Sequence, residues 1–351
     1  MTHLWIRSEQ RNNEKRVGIT PEGAEHLIKN GFEITVENCD SRIIPTSSYR
    51  KSGCEIAKKN SWVKAPKEAI IFGLKEILDC SAPLHHRHIM FGHAFKGQNS
   101  GISLLRRFKN DGGKLYDLEY LLDKFGKRVA AFGYWAGYAG AAVSLMVWLR
   151  QKTNVQSASL SHYGDKKELL NELEFTLSTL KKAKPSAIVV GALGRVGLGA
   201  CDLFNDLGVK VTKWDLLETA RGGPFSEILR HDIFLNCILA TKKSPILFSK
   251  GDLLSARELT VIGDISCDPD SDYNPIPIYD KPTNWSSPSK VLHLDPLLEV
   301  MAIDNLPSLL PKESSFDFSS QILPYLKDLN TLKTNVWARA EKIFEEKIRG
   351  V

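Results

Sequence analysis

The sequence lacks closely spaced cysteine pairs. None of its six cysteines lies in a C-x-x-C pair, so the sequence signals neither a structural zinc site nor a dithiol motif. No signal peptide opens the chain, because MTHLWIRSEQ is charged within its first seven residues. Together with the low cysteine count for 351 residues, this predicts free thiols and a cytoplasmic protein.

The sequence also lacks a long basic run. It has 47 Lys and Arg against 41 Asp and Glu, and its basic clusters are as short as Lys181-Lys182. We therefore predict no nucleic-acid partner, since the mild surplus suits an anionic small substrate better. A composition that is 42% hydrophobic and 25% charged argues against disorder, and the length favours two domains.

One uncharged segment, residues 129–149, is long enough to cross a bilayer. Gly, Ala, Ser and Tyr fill much of it, and no second segment of this kind exists. We therefore predict a helix buried between two domains, and no membrane partner.

Strand-like and helix-like segments alternate in two blocks, which predicts an α/β fold with parallel sheets. In the first block the candidate strands are LWIRSEQ, FEITVENC, AIIFGLK, HIMFGHAF and GKLYDLEYL. The candidate helices there are TPEGAEHLIKNG, with Thr20 as N-cap, and SGISLLRRFKNDG. The second block contains the strands PSAIVV, VKVTKWD, DIFLNCIL and LTVIGDIS, followed by Pro-rich loops from 269 to 296.

This pattern predicts two Rossmann-like doubly wound domains with a cleft between them. Residues 1–132 and 313–351 would form the substrate-binding and catalytic domain, because the amphipathic C-terminal helix is predicted to return to the first domain. Residues 133–312 would form the NAD-binding domain. The polar stretch QKTNVQSASLSHYGD is predicted to be a mobile connector.

A glycine cluster follows the first strand of the second block. Gly191, Gly194 and Gly197 form G-x-x-G-x-x-G, one step from the usual dinucleotide-binding pattern. Glycines there permit a tight turn and let the backbone approach a pyrophosphate at a helix N-terminus. Asp215, at the end of the next strand, could accept hydrogen bonds from a ribose and would repel a 2′-phosphate. NAD is therefore predicted over NADP. The alternative is a structural turn with Asp215 as a surface cap.

Two strands of the first block end alike. AIIFGLKE and HIMFGHAFK each place Phe-Gly before an ionisable residue, Lys75 or His93. Ligands of open α/β sheets bind beyond the carboxyl ends of strands, and a desolvated lysine or a histidine can transfer protons near neutral pH. Further charged residues near strand ends are Glu14, Arg16, Lys96 and Glu119. Their cations suit a substrate with several carboxylates. Each residue alone is better explained as a solvated surface charge, but that explanation weakens when two strands end alike.

The run His85-His86-Arg87-His88 invites a metal site. It lacks a helical i, i+4 pair of histidines beside a glutamate. We predict that it is a polar connecting loop and that no metal binds.

Nine stretches, from near residue 73 to about 313, resemble the NAD-dependent, L-lysine-forming saccharopine dehydrogenases of the fungal lysine pathway and, more distantly, alanine dehydrogenases. They are GLKE, HIMFGHAFK, LYDLEYL, KRVAAFG, GALGRVG, KWDLLETARGGPF, DIFLNCI, NPIPIYD and IDNLPSLLPKE. Irregular runs such as RGGPF make the set specific. The resemblance implies an enzyme that converts saccharopine, NAD⁺ and water to lysine, 2-oxoglutarate and NADH in the last step of the 2-aminoadipate pathway. We also predict a monomer.

The resemblance also implies residue roles. Lys75 matches the base on the substrate amine, and His93 matches the acid–base group for the imine and its water. The predicted substrate contacts are Arg16, Lys96, Gln98, Arg128, Phe132, Ser266 and Asp268. Glu14 and Glu119, with Lys96, would tune the catalytic groups. The predicted cofactor contacts are Lys127, Gly191, Gly194, Arg195, Asp215, Thr219, Ile265, Ile303, Asp304, Asn305 and Leu306.

Four positions depart from the family's pattern. Arg11 and Lys127 stand where Lys and Arg are expected, and Leu239 replaces an aromatic residue. Val196 stands where some relatives have Cys, which makes a disulfide with Cys237 impossible. Two alternatives therefore stay open. One is a related opine or amino-acid dehydrogenase with another amine or keto acid. The other is an NAD-binding module without turnover, which would lack Lys75 or His93.

Overall fold

The computed structural model describes residues 1–11, 13–79, 81–153, 159–180, 183–331 and 335–351. They divide into two compact units, residues 1–131 with 311–351 and residues 132–310. The predicted domain boundaries, at 132/133 and 312/313, lie beside these divisions. Phe132, predicted to belong to the first domain, falls in the second unit.

Both units contain strands and helices in alternation, as the sequence pattern predicts. The strands are β1 (Thr2–Ile6), β2 (Phe32–Glu37), β3 (Glu55–Ala57), β4 (Ile70–Phe72), β5 (Arg87–Met90), β6 (Lys114–Asp117), β7 (Ser186–Val190), β8 (Lys210–Trp214), β9 (Ile233–Asn236), β10 (Val261–Asp264), β11 (Lys290–Leu294) and β12 (Leu297–Met301). The helices are α1 (Pro21–Lys29), α2 (Thr46–Lys51), α3 (Asn99–Asp111), α4 (Gly133–Thr153), α5 (Lys166–Thr179), α6 (Arg195–Asp206), α7 (Leu216–Thr219), α8 (Pro311–Leu326) and α9 (Val336–Arg349).

The first unit is built on a parallel six-stranded sheet in the order β3-β2-β1-β4-β5-β6. The strand order reverses between β1 and β4, and the crevice beyond such a switch point is where open sheets bind ligands. Thr20 caps α1 as predicted, because its hydroxyl accepts a hydrogen bond from Gly23 N at 3.2 Å.

The C-terminal helix α9 packs on β6, which confirms the predicted return to the first domain. Trp337 is fully buried with its ring edge-on to Tyr116, and the Tyr116 hydroxyl donates to Glu341 Oε2 at 2.7 Å. An aromatic contact and a hydrogen bond from the same tyrosine thus join α9 to the edge strand β6.

The second unit has a six-stranded sheet in the order β11-β12-β10-β9-β7-β8. Its strands are parallel except for β11, which pairs antiparallel with β12. The prediction of loops from 269 to 296 is wrong at its end, since Lys290–Leu294 forms β11. This strand is mostly exposed and lies at the sheet edge, and the surrounding prolines and polar residues led us to predict a loop.

The uncharged segment forms α4 and packs on α6 within the second unit. A Cβ on Gly137 would lie 1.8 Å from Val196 O, and one on Gly199 would lie 1.9 Å from Tyr134 O. The small residues therefore permit contact between two helix backbones of the same unit. The prediction that this helix is also buried between two domains stays a prediction. Within the described ranges, no helix combines the length and apolarity that crossing a membrane requires.

Candidate active site

The two Phe-Gly segments lie side by side in the first unit. Beyond the paired strands β4 and β5, Gly73 N donates to Ile89 O at 3.0 Å and Phe91 N donates to Leu74 O at 2.9 Å. The sheet pairing thus continues to the residues that precede Lys75 and His93. The predicted acid–base residues therefore follow adjacent strand ends at one edge of the sheet.

Lys75 is half-buried, and its backbone is held by residues that follow β1. Arg7 donates to Lys75 O, and Glu9 accepts from Lys75 N at 3.1 Å. Sequence reasoning missed both residues, because RSEQ reads as the polar end of the first strand. The only available signal was a charged pair beside a strand end.

Glu14 and Arg16 form a buried ion pair close enough to respond to Lys75. Arg16 Nε lies 2.8 Å from Glu14 Oε1, and Arg16 Nη2 lies 2.6 Å from Glu14 Oε2. Burial alone would raise the pKa of Glu14, but the charge and hydrogen bonds of Arg16, with the charge of Lys75, lower it overall. Glu14 therefore remains a carboxylate that faces two cations.

A second carboxylate lies beside Lys75 in sequence. Arg11 donates to Glu76, and the pair is partly exposed. Burial raises the pKa of Glu76, whereas Arg11 and the charge of Lys75 lower it by more. The positive charge of Lys75 thus acts on two carboxylates, and Arg11, one of the departures from the family's pattern, keeps a charged partner.

His93 follows Gly92 in a left-handed backbone conformation, with φ of 49°. Its ring is 47% exposed, and its Nδ1 lies 3.4 Å from Glu119 Oε2. A non-glycine residue in this region is uncommon and marks a position where the surroundings dictate the backbone. The geometry presents an accessible imidazole beside a carboxylate.

Glu119 gathers the cations around His93. Lys96 Nζ lies 2.8 Å and Arg128 Nη2 lies 3.5 Å from Glu119 Oε1. The hydrogen bond from His93 comes first among the causes that lower the pKa of Glu119 to about 2, and Lys96 and Arg128 add to it against the effect of burial. Burial would lower the pKa of Lys96, but its hydrogen bond to Glu119 raises it overall. The structure thus brings together four predicted site residues.

Asp117 is not among the predicted site residues, but it binds the backbone of Glu119. It is buried at the end of β6, and its Oδ1 accepts a hydrogen bond from Glu119 N at 2.9 Å. Burial raises the pKa of Asp117, and the charge of Glu119 adds to the effect. Two carboxyl groups two residues apart therefore have pKa values shifted in opposite directions.

Three further predicted site residues are Gln98, Lys127 and Phe132. Gln98 is an exposed residue at the N-terminus of α3, where its side chain makes no capping hydrogen bond. Lys127 is exposed in a turn in which its N–H donates to Asp123 Oδ1 at 2.9 Å. Phe132 lies at the start of the second unit. Their roles in binding stay predictions.

The glycine cluster forms the predicted turn between β7 and α6. Gly191 has φ of +86°, and a Cβ on Gly197 would lie 2.1 Å from Gly191 O. Gly194 is the N-cap of α6 and would tolerate a Cβ. Arg195 is the first residue of the helix, so backbone N–H groups and a cation lie where a diphosphate would bind. This cradle fits a dinucleotide.

Asp215 directly follows β8, the strand next to this turn, and binds the turn's backbone. Its Oδ2 accepts from Leu193 N at 2.9 Å, and its backbone is joined to Glu218 and Thr219 in a capped turn. Thr219 donates to Asp215 O at 2.8 Å. The Asp215 side chain is half-buried beside the glycine turn, a position that suits a contact to a ribose. Asp215 also caps the turn, as the alternative prediction of a structural turn requires.

The predicted loop after β10 is held by a buried carboxyl group. Asp264 accepts from Asn236 Nδ2 at 3.0 Å, Tyr279 OH at 2.7 Å and Cys267 N at 3.1 Å. Cys267 has φ of 45°, and Ser266 donates to Ile238 O. The geometry orders the segment 266–268, of which Ser266 and Asp268 are predicted substrate contacts.

The predicted cofactor contacts at residues 265 and 303–306 differ in their exposure to solvent. Ile265, Ile303 and Leu306 are buried among core residues, whereas Asp304 is exposed. Asn305 donates from Nδ2 to Ser308 Oγ at 2.7 Å. The exposed carboxylate is thus the side chain in this set most available to a ligand.

The histidine run is not the polar loop that we predicted. His86 and His88 are buried, and His88 lies in β5 with its ring edge-on to Trp62 and Phe108. Burial lowers the pKa of both imidazoles, so they are neutral core residues. In the part of the chain that the structure describes, no group of three or more His, Cys, Asp or Glu could hold a metal ion.

Comparisons with known proteins identify the family of the chain. Residues 5–139 match the model for the alanine dehydrogenase/PNT N-terminal domain. The chain is 40% identical to the L-lysine-forming, NAD(+) saccharopine dehydrogenase of Schizosaccharomyces pombe, over 99% of this chain and 98% of that protein. It is 42% identical to the Candida glabrata enzyme of the same name, over 97% and 95%. The chain belongs to the L-lysine-forming saccharopine dehydrogenase family.

The fold also matches that of a more distant solved structure. An L-alanine dehydrogenase superposes with a TM-score of 0.69 over 99% of this chain and 100% of that one, at 16% identity. The likeness concerns the fold alone, and it confirms two Rossmann-like α/β domains. The five cysteines that the structure describes are free, and Cys237 among them is buried.

Proposed function

We propose that this member of the saccharopine dehydrogenase family oxidises saccharopine with NAD⁺ and water to L-lysine and 2-oxoglutarate, and runs the reverse condensation with NADH, as a step of lysine biosynthesis. The observation that carries the proposal is the identity of about 40% over nearly the whole chain. Two proton-transfer residues on adjacent strand ends supply the chemistry that this reaction needs.

Lys75 and His93 are proposed to divide the proton transfers. Lys75 would take the proton of the substrate's secondary amine, and His93 would handle the proton of the water that attacks the imine. NAD⁺, when bound, accepts the hydride from the substrate carbon beside the amine. Glu14 and Glu76 would set the field around Lys75, because both carboxylates respond to its charge.

Half-exposed cations near His93 are the proposed carboxylate contacts. Lys96 and Arg128 both form ion pairs with Glu119, and much of each side chain remains exposed to solvent. Saccharopine carries three carboxylates, which suits bidentate or charged hydrogen bonds from such groups. Arg16 is buried against Glu14, and its role as a substrate contact rests on the resemblance alone.

The proposed cofactor site uses the glycine turn and Asp215. The carboxylate beside the turn would accept from ribose hydroxyls and repel a 2′-phosphate, which favours NAD over NADP. The relatives' names specify NAD(+). A monomer in the cytoplasm completes the proposal, and the five free cysteines that the structure describes support a reducing compartment.

The test is NADH oxidation by purified protein with lysine and 2-oxoglutarate, added singly and together. The proposal predicts loss of absorbance that needs both compounds, and a product with the mass of saccharopine. Ornithine in place of lysine and pyruvate in place of 2-oxoglutarate are the controls. Faster oxidation with a control compound would transfer the assignment to a related opine or amino-acid dehydrogenase.

A further inference from the structure

The residues Arg7 and Glu9, just beyond β1, form a buried ion pair outside the predicted site. Arg7 Nη1 lies 3.4 Å from Glu9 Oε2, and their side chains are 1% and 6% exposed. Taking two charges out of water is costly, and removing one partner leaves the other uncompensated. Such a pair is therefore bound to its surroundings through its remaining donors and acceptors.

The pair binds the backbone on both sides of the Lys75 α-carbon. Glu9 Oε1 accepts from Leu74 N at 2.7 Å, and Glu9 Oε2 accepts from Lys75 N at 3.1 Å. Arg7 Nη2 donates to Lys75 O. The two peptide groups that flank the α-carbon are thus fixed, and with them the direction in which the side chain leaves the backbone.

The residue types follow from this task. A carboxylate offers two acceptors to consecutive N–H groups, and a guanidinium reaches a carbonyl and a carboxylate with one rigid plane. Gly73 is needed as well, because a Cβ there would lie 2.4 Å from Arg7 Cζ and Nε. The glycine of the first Phe-Gly pair therefore makes room for the guanidinium.

We propose that Glu9, with Arg7, is a positioning residue for Lys75 in the reaction. The inference rests on the proposed function. Displacement of a catalytic group by about 1 Å can cost roughly 100-fold in rate. Glu9 acts through Lys75 alone, so its effect on the rate must depend on the presence of the lysine.

A double-mutant cycle tests this dependence. Glu9→Gln places an amide NH₂ against a backbone N–H, and we expect kcat for NADH oxidation with lysine and 2-oxoglutarate to fall about 10- to 100-fold. In the Lys75→Met background, the same change is expected to lower kcat no further. NADH affinity, measured by fluorescence titration, is expected to stay unchanged in every variant.

Glu299→Gln is the matched control. Glu299 is a buried carboxylate of the second unit, and it accepts from Arg150 and from Ser289 Oγ at 2.6 Å. We expect this variant to lose stability without the lysine-dependent loss of kcat. If Glu9→Gln fails to fold, Glu9→Asp keeps the charge but is too short for both N–H groups, and it should show the same dependence.

Equal fold-losses of kcat from Glu9→Gln in the wild-type and Lys75→Met backgrounds would identify a general structural role and overturn the inference. Wild-type kcat in folded Glu9→Gln would overturn it too. Both results presuppose a wild-type protein that is active with lysine and 2-oxoglutarate. Absence of that activity would instead overturn the proposed function, and this inference with it.

Discussion

The ends of β4 and β5 share a sequence pattern, but the protein holds them in different ways. Beyond β4, the backbone of Lys75 is bound by the buried pair Arg7 and Glu9. Beyond β5, His93 is exposed in a left-handed conformation, and its ring belongs to a cluster of side chains around Glu119. Lys75 is thus held through its backbone N–H and carbonyl groups, whereas His93 is held through its imidazole ring.

The two glycines differ in the same sense. A Cβ on Gly73 would meet a rigid guanidinium at 2.4 Å, whereas one on Gly92 would meet Leu115 Cδ2 at 2.8 Å and Asp117 Oδ2 at 3.3 Å. A repeated motif therefore indicates where two functional groups lie. It does not predict which residues hold them, because those residues follow β1 in one case and β6 in the other.

The largest expected effect is the loss of either proton-transfer group. Lys75→Met and His93→Gln should each lower kcat about 100- to 10,000-fold, the usual contribution of a positioned acid or base. Steady-state NADH oxidation measures this effect. Lys67→Met, at an exposed lysine of the same unit, should retain wild-type kcat. A loss below tenfold for either catalytic variant would contradict the assignment of that group.

Alanine substitutions at the two glycines are expected to lower the free energy of unfolding by different amounts. Gly73→Ala is expected to cost about 2–3 kcal/mol, because the buried guanidinium cannot move without losing Glu9. Gly92→Ala should cost about 1 kcal/mol, since a leucine methyl can rotate. Urea unfolding provides the values, and equal costs would show that the two ends are equally rigid.

Much of the fold and part of the site could be predicted from local patterns. Thr20, the glycine turn and the strands that precede Lys75 and His93 each have a signal within a few residues. The contacts of Arg7 and Glu9 reach residues more than sixty positions away, and no local period encodes them. Burial of His88 was missed for a similar reason, since its aromatic neighbours come from distant segments.

The Glu119 cluster should make stability depend on pH. The pKa of Glu119 lies near 2 in the folded protein, against an ordinary value of 4.5. The stabilisation that the ionised Glu119 contributes to the folded protein is therefore present above pH 4.5 and is lost as the pH falls toward 2. Glu119→Gln should therefore cost about 1–2 kcal/mol at pH 7 after solvent screening, and less at pH 3. Unfolding of both proteins at the two pH values checks this. A constant difference would contradict it.

The smallest effect is expected from the family departure at Arg11. Its ion pair with Glu76 is half-exposed on the arginine side, so Arg11→Lys should change the free energy of unfolding by less than about 0.5 kcal/mol. The KM for 2-oxoglutarate should change only a few-fold. Thermal unfolding and steady-state kinetics measure both quantities, and a tenfold change in KM would assign Arg11 to the substrate site.

The pH profile of kcat/KM for saccharopine oxidation tests the central claim, that the two strand ends supply the two proton-transfer groups. The wild-type protein should give a profile with two limbs. Lys75→Met should abolish one limb and His93→Gln the other. Survival of both limbs in either variant would contradict the account, because proton transfer would then belong to other groups.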